Sequence, residues 1–494
     1  MTHSPFPPLT PLLTPWMSTL QQHPELLTRL IRKYHSPVNI LCLQSFDSNA
    51  RDFAAVFEEQ DLPHSILFAR KANKCRAFVN RAGELGIGVD TASHRELQQA
   101  LEAGVPTPRL VLTAAIKEER TLRLALLNGV LIILDNEDEC RLVNSLAQSL
   151  KHKARVGLRV SGFSVDDTKR YSRFGFDIDH VKAFVRKTFV NPDTPSHLEY
   201  RGLHFHLHGY ETAERGAALH ACLSLAEEME TRFGLRSRFI DIGGGCPVNY
   251  LESKVQWEEF DRQLQRAVKG ERDPVTFNND GLGYTLIDGN IHGSLATYPY
   301  YNETTRKTYL REVLFSRNPQ KTDPQHAETA VERIRRQKIE VRLEPGRSLL
   351  DQAGVTIARV AFRKRDSRGD LLVGLEMNMT QMQSASADFL LDPFLIPRKH
   401  ANPPEAVSAY LTGAYCLEGD LLLKRKIMFP QYPEVGDMVM FVNTAGYMMH
   451  FYESEAHLFD LAANLIYSGN EETPEDSHFV PDCGRGRHEN ERKA

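Results

Sequence analysis

The sequence predicts an α/β protein: a (β/α)8 barrel of the TIM type followed by a C-terminal antiparallel β-domain. Three observations support this fold. Eight short apolar runs alternate with helical patterns between residues 61 and 350. Several of these runs are continuously hydrophobic, as parallel strands buried on both faces are. After residue 350, helical patterns become rare and strand patterns dominate. Eight β–α repeats favour a closed barrel over an open sheet.

The predicted strands are short aliphatic runs, and amphipathic helical stretches separate most of them. Residues 93–104, for example, place Leu97, Ala100 and Leu101 on one face, and Gly104 ends the pattern. Residues 214–234 form a second clear helical pattern. The strand predictions are 65–70, 86–90, 109–113, 130–135, 155–160, 201–207, 238–242 and 339–343.

The chain of 494 residues is too long for one ordinary hydrophobic core. We expect an N-terminal segment, 1–60, that partly joins the β-domain through the apolar run 38–43. The barrel then spans 61–350 and the β-domain 351–468. The remaining stretch, 469–494, is polar and charged, which predicts a disordered tail.

The connection between the last two predicted barrel strands is unusually long. It covers residues 243–338, whereas connections in α/β units are usually a few residues long. It contains a polar stretch rich in glycine and tyrosine at 278–302. We therefore predict an insertion near 278–330 that covers the barrel mouth.

Composition argues against several classes of partner. The net charge is −4 and no basic stripe stands out, so we expect neither nucleic acid nor an anionic membrane as a partner. The apolar runs are too short to cross a bilayer. The seven cysteines are scattered without CxxC spacing, which argues against a disulfide framework or a zinc finger and favours a cytoplasmic location.

Polar residues follow the predicted strands at the end where barrels of this type carry their active sites. They are Lys71, Asp90, Arg159, His204, His206, His208, Gly243, Gly244, Gly245, Glu344 and Arg347. Glycines and an arginine suit a phosphate group, a lysine can form a Schiff base, and a glutamate can keep a heterocyclic nitrogen protonated. One cofactor requires all four features, namely pyridoxal 5′-phosphate (PLP).

The motifs carrying these residues resemble those of the fold-type III PLP-dependent decarboxylases, the diaminopimelate, ornithine and arginine decarboxylases with an alanine racemase-like barrel. The resemblance covers roughly residues 60–465, and its motifs occur in the family's order. They are FARKANK (68–74), ELGIGVDTASHREL (84–97), YSRFGFD (171–177), GLHFHLHGY (202–210), FIDIGGGCP (239–247), LEPGR (343–347), GAYCLEGD (413–420) and NTAGYMMHF (443–451).

The resemblance implies a role for each matched residue. Lys71 would carry the cofactor as a Schiff base, and Cys416 would reprotonate the product after the substrate's α-carboxylate leaves. In this family the cysteine comes from the second subunit, which implies a head-to-tail homodimer. The predicted cofactor-binding residues are Lys71, Asp90, Arg159, His206, Gly243, Gly244, Gly245, Glu344, Gly346, Arg347 and Tyr447.

The sequence departs from the family mainly in the parts that recognise substrate. Leu417 stands where relatives have an acid after the cysteine, and no arginine occurs within 375–397, where diaminopimelate enzymes bind the distal carboxylate. His208 and Gly209 replace a Gly-Ser pair whose hydroxyl holds phosphate. Diaminopimelate is therefore not expected. A basic amino acid or a larger conjugated one remains open, with four candidate acids for a distal ammonium: Asp388, Asp392, Glu418 and Asp420.

Three other functions compete with decarboxylation. A PLP-dependent racemase or epimerase is possible on the same scaffold, although Cys416 in its motif favours decarboxylation. A metal-dependent barrel hydrolase could use the histidines of 204–208, but it would leave Lys71 and the glycines unexplained. A non-catalytic binding protein is disfavoured because Lys71, Glu344, Arg347 and Cys416 are all present.

Overall fold

Eight parallel strands close into a barrel, each paired with its neighbour in chain order and the eighth with the first. This computed structural model describes residues 6–165, 168–191, 196–319, 327–384, 389–401, 403–468 and 473–482. The barrel strands are His64–Ala69, Gly88–Thr91, Leu110–Leu112, Leu131–Leu134, Ala154–Ser161, Leu198–His204, Phe239–Asp241 and Glu340–Leu343. All eight overlap the predicted runs, so the predicted barrel is confirmed.

The barrel interior is filled by large apolar side chains from different strands. Leu67, Val111, Ile133 and Phe239 belong to one buried cluster, while alternate residues of the same strands pack toward the helices. Gly202 makes room for this packing, because a Cβ added there would lie 2.8 Å from the ring of Phe239. The interior is thus a packed core, and only the strand ends are open to ligands.

Helices surround the barrel, and their ends follow local capping signals. The predicted helix at 93–104 begins after Ser93, whose side chain accepts a hydrogen bond from the backbone of Glu96. The helix predicted at 214–234 ends at Gly234 in the left-handed conformation. The α-helices are Pro15–Gln21, Pro24–Tyr34, Leu43–Glu58, Arg76–Leu85, His94–Glu102, Glu119–Leu127, Glu137–Ser149, Val181–Val185, Thr212–Phe233, Lys254–Val268, Arg306–Leu314 and Ala330–Gln337. None of the helices in the described ranges is both long and apolar enough to cross a membrane.

A separate nine-stranded sheet forms the β-domain, and it includes the N-terminal strand Val38–Cys42. That strand pairs antiparallel with Gly354–Arg365 and parallel with Ala463–Tyr467. The sheet is antiparallel apart from this pair and the pairing of Leu371–Leu375 with Val407–Thr412. The remaining strands are Phe394–Ile396, Ile427–Phe429, Met438–Val442 and Phe479–Pro481.

Part of the predicted disordered tail is a strand of this sheet. Phe479–Pro481 pairs antiparallel with Ala463–Tyr467, and Phe479 is buried. The carboxylate of Asp482 then accepts hydrogen bonds from the backbone N–H groups of Arg76 and Ala77, at 3.0 and 2.9 Å. The burial of Phe479 and the cap that Asp482 provides to the helix Arg76–Leu85 thus hold this polar segment in place. Residues 469–472 and 483–494 lie outside the described ranges.

The long connection after the seventh barrel strand packs between the barrel and the β-domain. Its described residues form three α-helices, Lys254–Val268, Arg306–Leu314 and Ala330–Gln337, and an exposed hairpin of Tyr284–Ile287 and Asn290–Gly293. Three of its tyrosines, Tyr250, Tyr298 and Tyr300, are buried in one cluster with apolar residues of the β-domain. Residues 320–326 of the predicted insertion are not among the described residues.

Candidate active site

Lys71 lies in a tight turn, Arg70–Ala72, directly after the first barrel strand. The buried guanidinium of Arg70 donates hydrogen bonds to the carbonyls of Lys74 and Cys75, at 2.6 and 3.1 Å, and thereby fixes the loop. Nζ of Lys71 lies 3.3 Å from Oδ2 of Asp90, which lies on the neighbouring strand, and the lysine side chain is 41% exposed. The predicted lysine is thus an accessible amine beside a buried carboxylate.

The two charges of this pair change each other's ionisation. Burial alone would lower the pKa of Lys71, but the negative charges of Asp90 and Glu344 raise it above its ordinary value. Burial, together with the nearby Glu344 carboxylate, raises the pKa of Asp90 to about 6. Thr113, on the third strand, donates a hydrogen bond to the other oxygen of Asp90.

Glu344 follows the eighth strand and is held from the sixth strand by His204. The Nε2 atom of His204 lies 3.4 Å from Oε2 of Glu344, and both side chains are buried. Burial raises the pKa of Glu344, but the contact with His204 and the positive charge of Lys71 outweigh it and hold that pKa below its ordinary value. The other carboxylate oxygen, Oε1, has no hydrogen-bond partner among the described residues. Glu344 therefore presents an ionised, unoccupied acceptor.

Asp241, on the seventh strand, completes a compact buried group with these two residues. Ligand atoms of His204, Asp241 and Glu344 lie within 4.8 Å of one another. Burial and the charge of Glu344 raise the pKa of Asp241 well above its ordinary value, which favours the protonated acid. The predicted triplet of histidines does not form a cluster of this kind: His206 bonds the glycine loop and His208 is exposed.

The glycine loop after the seventh strand is folded tightly over the ends of the strands. A Cβ on Gly244 would collide with the carbonyl oxygen of Glu344, so the loop backbone lies directly on the eighth strand. The N–H of Gly243 donates to Asp241 at 2.9 Å, and that of Gly244 donates to Nδ1 of His206 at 3.2 Å. The N–H groups of Gly245 and Cys246 donate to no acceptor in the described chain. They are the pair left for an anion.

His206 is a neutral ring beside this loop. Its Nδ1 accepts a hydrogen bond, so the ring proton resides on Nε2. Burial, together with the charges of Lys71 and Arg215, lowers its pKa well below the ordinary value.

Arg347, after the eighth strand, packs against Tyr447 of the β-domain. The guanidinium of Arg347 stacks on the rings of Tyr298 and Tyr447, at 4.3 and 5.1 Å, and donates to the carbonyl of Gly446 at 3.2 Å. Gly346 is required here, because a Cβ would lie 2.9 Å from Oη of Tyr447. Arg347 forms no ion pair with a carboxylate in the described ranges. The residue is therefore a cation surrounded by aromatic rings and backbone.

Arg159 lies on the fifth strand, slightly apart from this group. Its Nη1 is 3.9 Å from Oδ1 of Asp135, and its guanidinium stacks on the ring of Phe174 at 4.2 Å. Burial lowers its pKa, and the carboxylates of Asp135, Glu344 and Asp90 partly offset that effect.

Comparison with known proteins supports the predicted resemblance. Residues 43–276 match the pyridoxal-binding domain of the pyridoxal-dependent decarboxylases. An uncharacterized protein of Sinorhizobium fredii is 29% identical over 90% of this chain and 91% of its own length. Diaminopimelate decarboxylase of Bacillus methanolicus is 23% identical over 80% of each chain. The crystal structure of diaminopimelate decarboxylase from Helicobacter pylori, complexed with L-lysine, superposes with a TM-score of 0.69 at 16% identity, over 94% of this chain and 98% of that one.

Residues 43–276 thus carry the pyridoxal-binding domain of the pyridoxal-dependent decarboxylases, and the fold of the chain is that of the solved diaminopimelate decarboxylases. The predicted family, enzyme class and cofactor are thereby confirmed.

The arrangement at the barrel mouth fits PLP. The unpartnered Oε1 of buried Glu344 can accept a hydrogen bond from a protonated ring nitrogen. Arg347 and the free N–H groups of Gly245 and Cys246 can bind a phosphate, and Lys71 offers an amine 3.3 Å from Asp90. These residues come from the first, second, seventh and eighth strands, as the sequence predicts.

Cys416 lies away from this group, on an exposed loop of the β-domain. Buried Asp420 fixes the loop, because its carboxylate accepts hydrogen bonds from the backbone of Met379 and Tyr415, at 2.8 and 2.7 Å. Asp392 is also engaged: it pairs with buried Arg425 and accepts from the N–H of Leu9 at 2.8 Å. Both acids were predicted to bind substrate, and here they hold the β-domain together.

The two other predicted substrate acids differ. Glu418 is exposed beside Cys416 and forms no ion pair within the described ranges. Asp388 lies outside the described residues.

Several residues at this site were not predicted. Arg215, on the helix after the sixth strand, is buried against the glycine loop, and Tyr298 of the long connection covers Arg347. Lys117 and Glu139 form a buried ion pair of 2.7 Å near the ends of the third and fourth strands. The sequence offers two signals for these residues. One is the tyrosine-rich stretch of the long connection, and the other is Arg215, four residues after Glu211. Neither signal indicates a functional site by itself.

Proposed function

We propose that the enzyme decarboxylates an amino acid bound through PLP on Lys71. The observation that carries this proposal is the buried, ionised Glu344, which has one carboxylate oxygen free among the described residues. Glu344 follows the eighth strand, and the first strand lies between it and the second strand, which carries Asp90. When bound, PLP supplies an electron sink for the bond that breaks at the substrate's α-carbon. Glu344 serves that sink by keeping a positive charge on the nitrogen it faces.

The other residues of the group bind and orient. Asp90 holds the amine of Lys71 by a hydrogen bond and an ion pair, which keeps the side chain at the mouth. His206, a neutral ring fixed by the N–H of Gly244, offers a flat surface for a planar ligand. Arg347 and the N–H groups of Gly245 and Cys246 bind the phosphate.

We propose that Cys416 acts as the proton donor in the mouth of a partner subunit's barrel. It lies on an exposed loop next to exposed Leu417, and Tyr452 and Leu458 are also exposed in the β-domain. Exposed apolar side chains occur at the barrel's strand ends as well, at Ile116 and Tyr171. Contact between these surfaces in a head-to-tail homodimer would bury both and bring the exposed thiol of Cys416 to a site whose own cysteines, Cys75 and Cys246, are buried.

The substrate we propose is an amino acid with a distal ammonium group, recognised by Glu418. Both of its described rivals, Asp392 and Asp420, are already bonded within the β-domain, and the region 375–397 contains no arginine to bind a distal carboxylate. Free cysteines at all six described positions agree with a reducing compartment, and we propose a cytoplasmic location.

Absorbance and CO2 release test the proposal. We expect the purified protein to carry a chromophore absorbing beyond the protein's own bands, which borohydride reduction fixes to the peptide containing Lys71. We expect CO2 from L- or D-ornithine, lysine or arginine, and less from each with Glu418→Gln. Exchange of the α-proton without CO2 would favour racemisation instead. A protein that binds PLP but releases no CO2 from any of these substrates would refute the substrate class.

A further inference from the structure

Arg215 is a buried positive charge without a negative partner among the described residues. It lies on the helix Thr212–Phe233 and is 1% exposed. Its Nε donates to Oη of Tyr309 at 2.5 Å, and its Nη1 donates to the carbonyl of Ile242 at 2.5 Å. Both acceptors are neutral. An arginine is always protonated in proteins, so the charge cannot be relieved by losing a proton.

Such a charge is costly unless an anion lies near it. Removing an ion from water is compensated only by a partner of opposite sign or by several hydrogen bonds. Two other buried arginines have acidic partners: Arg333 pairs with Glu227 at 3.1 Å, and Arg425 pairs with Asp392. The buried Arg70 is compensated by four hydrogen bonds to uncharged acceptors instead. Arg215 has two hydrogen bonds among the described residues and no acid, so it is the least compensated of the four.

The position of Arg215 indicates which anion it serves. A Cβ on Gly245 would lie 2.8 Å from its Nη2, so the guanidinium lies directly against the glycine loop. Its charge reaches the site, because it contributes to lowering the pKa of His206. Arg347, three residues after Glu344, also lacks a carboxylate partner in the described chain. Arg215 thus lies against the loop that carries the free N–H groups, and Arg347 follows the neighbouring eighth strand, on which that loop packs.

We propose that Arg215 is a positioning residue for the phosphate of PLP, acting through the loop 243–245. In this chain His208 and Gly209 stand where relatives have the Gly-Ser pair whose hydroxyl holds phosphate. A buried guanidinium beneath the loop replaces that contact by strengthening the positive potential around Gly245 and Cys246. This inference rests on PLP binding and is independent of the amino acid that is decarboxylated.

Tyr309 gives the long connection a part in this arrangement. It lies on the helix Arg306–Leu314 and is buried, and its hydroxyl accepts the hydrogen bond from Nε of Arg215. The guanidinium is thereby fixed between the carbonyl of Ile242 and the connection's helix, with Nη2 turned to the loop. Tyr309→Phe should therefore release the orientation of Arg215 while keeping its charge.

The test compares the affinity of the apoenzyme for PLP with its affinity for pyridoxal, which lacks the phosphate. For Arg215→Gln we expect PLP affinity to fall at least tenfold while pyridoxal affinity stays within twofold. Arg215→Lys should recover part of the loss, and Tyr309→Phe should lose less than Arg215→Gln. Arg333→Gln, a buried arginine on an outer helix, is the matched control and should leave the ratio of the two affinities unchanged.

A second measurement covers variants that fold poorly. Inorganic phosphate should raise the melting temperature of the wild-type apoenzyme, and it should do so less for Arg215→Lys and Tyr309→Phe than for Arg333→Gln. If Arg215→Gln folds and its ratio of PLP affinity to pyridoxal affinity equals that of the wild type, the inference is overturned. If Arg215→Gln does not fold, the same unchanged ratio in both Arg215→Lys and Tyr309→Phe overturns it. Wild-type protein that binds neither compound would instead refute the proposed function.

Discussion

Replacing His204 with leucine should weaken the ionisation of Glu344 and make decarboxylation more sensitive to acid. His204 Nε2 lies 3.4 Å from Oε2 of Glu344, and both side chains are buried, so solvent does not screen the contact. A hydrogen bond to a charged group contributes about 1.5–3 kcal/mol, and the length of this one favours the lower end of that range. About 1.5 kcal/mol corresponds to a rise of roughly one unit in the pKa of Glu344.

The expected result follows from the sign of that shift. Glu344 must be ionised to keep the facing nitrogen protonated, so a higher pKa reduces the active fraction on the acid side. The acid limb of the kcat profile for CO2 release should therefore move upward by about one pH unit in His204→Leu.

Two controls separate this effect from general damage. His204→Gln keeps an N–H donor and should restore most of the wild-type profile, and His208→Leu changes an exposed histidine and should not move it. Superimposable pH profiles for wild type and His204→Leu would refute the role assigned to His204.

Three further predictions concern the same site. Uptake of PLP by the apoenzyme, followed by absorbance, should accelerate as the pH rises, because the raised pKa of Lys71 leaves little neutral amine at pH 7. In Asp90→Asn the pH dependence of the uptake rate should shift to lower pH, because the carboxylate that raises this pKa is gone. Gly346→Ala should lower the free energy of unfolding by about 1–3 kcal/mol and weaken PLP binding, because its Cβ would lie 2.9 Å from Oη of Tyr447; an unchanged denaturation midpoint would contradict this. Mixing inactive Lys71→Ala and Cys416→Ala proteins should restore about a quarter of wild-type activity if the cysteine acts across a twofold dimer, whereas no recovery after subunit exchange would place both residues in one chain's site.

Periodicity and run length were sufficient to predict the barrel. Each barrel strand is a short apolar run followed by a helix signal, and such signals are local, so the eight strands were found without knowledge of their neighbours. The residues at the strand ends, such as Lys71, Asp90 and Glu344, follow from the strand positions because parallel strands bring their ends to one side.

Residues whose role depends on distant partners were not predictable in the same way. From the sequence, Asp420 was predicted to bind substrate. In the structure its carboxylate accepts a hydrogen bond from the backbone N–H of Met379, which lies in a different loop. Arg215 has the sequence context of a surface helix residue, since nothing local indicates that Tyr309, almost a hundred residues later, covers it. The tail at 473–482 has a polar composition, and its order depends on one buried phenylalanine and a helix in the first quarter of the chain.

The position of the strand Val38–Cys42 constrains the order in which the protein can be assembled on the ribosome. Its two neighbours in the sheet, Gly354–Arg365 and Ala463–Tyr467, are synthesised some three hundred and four hundred residues later. The strand therefore emerges with both edges bare and keeps them so until about three quarters of the chain has been made, as a potential site for wrong pairing with other chains. Charged or chaperone-binding sequence near the N-terminus would be selected in such a protein for reasons that have nothing to do with its chemistry.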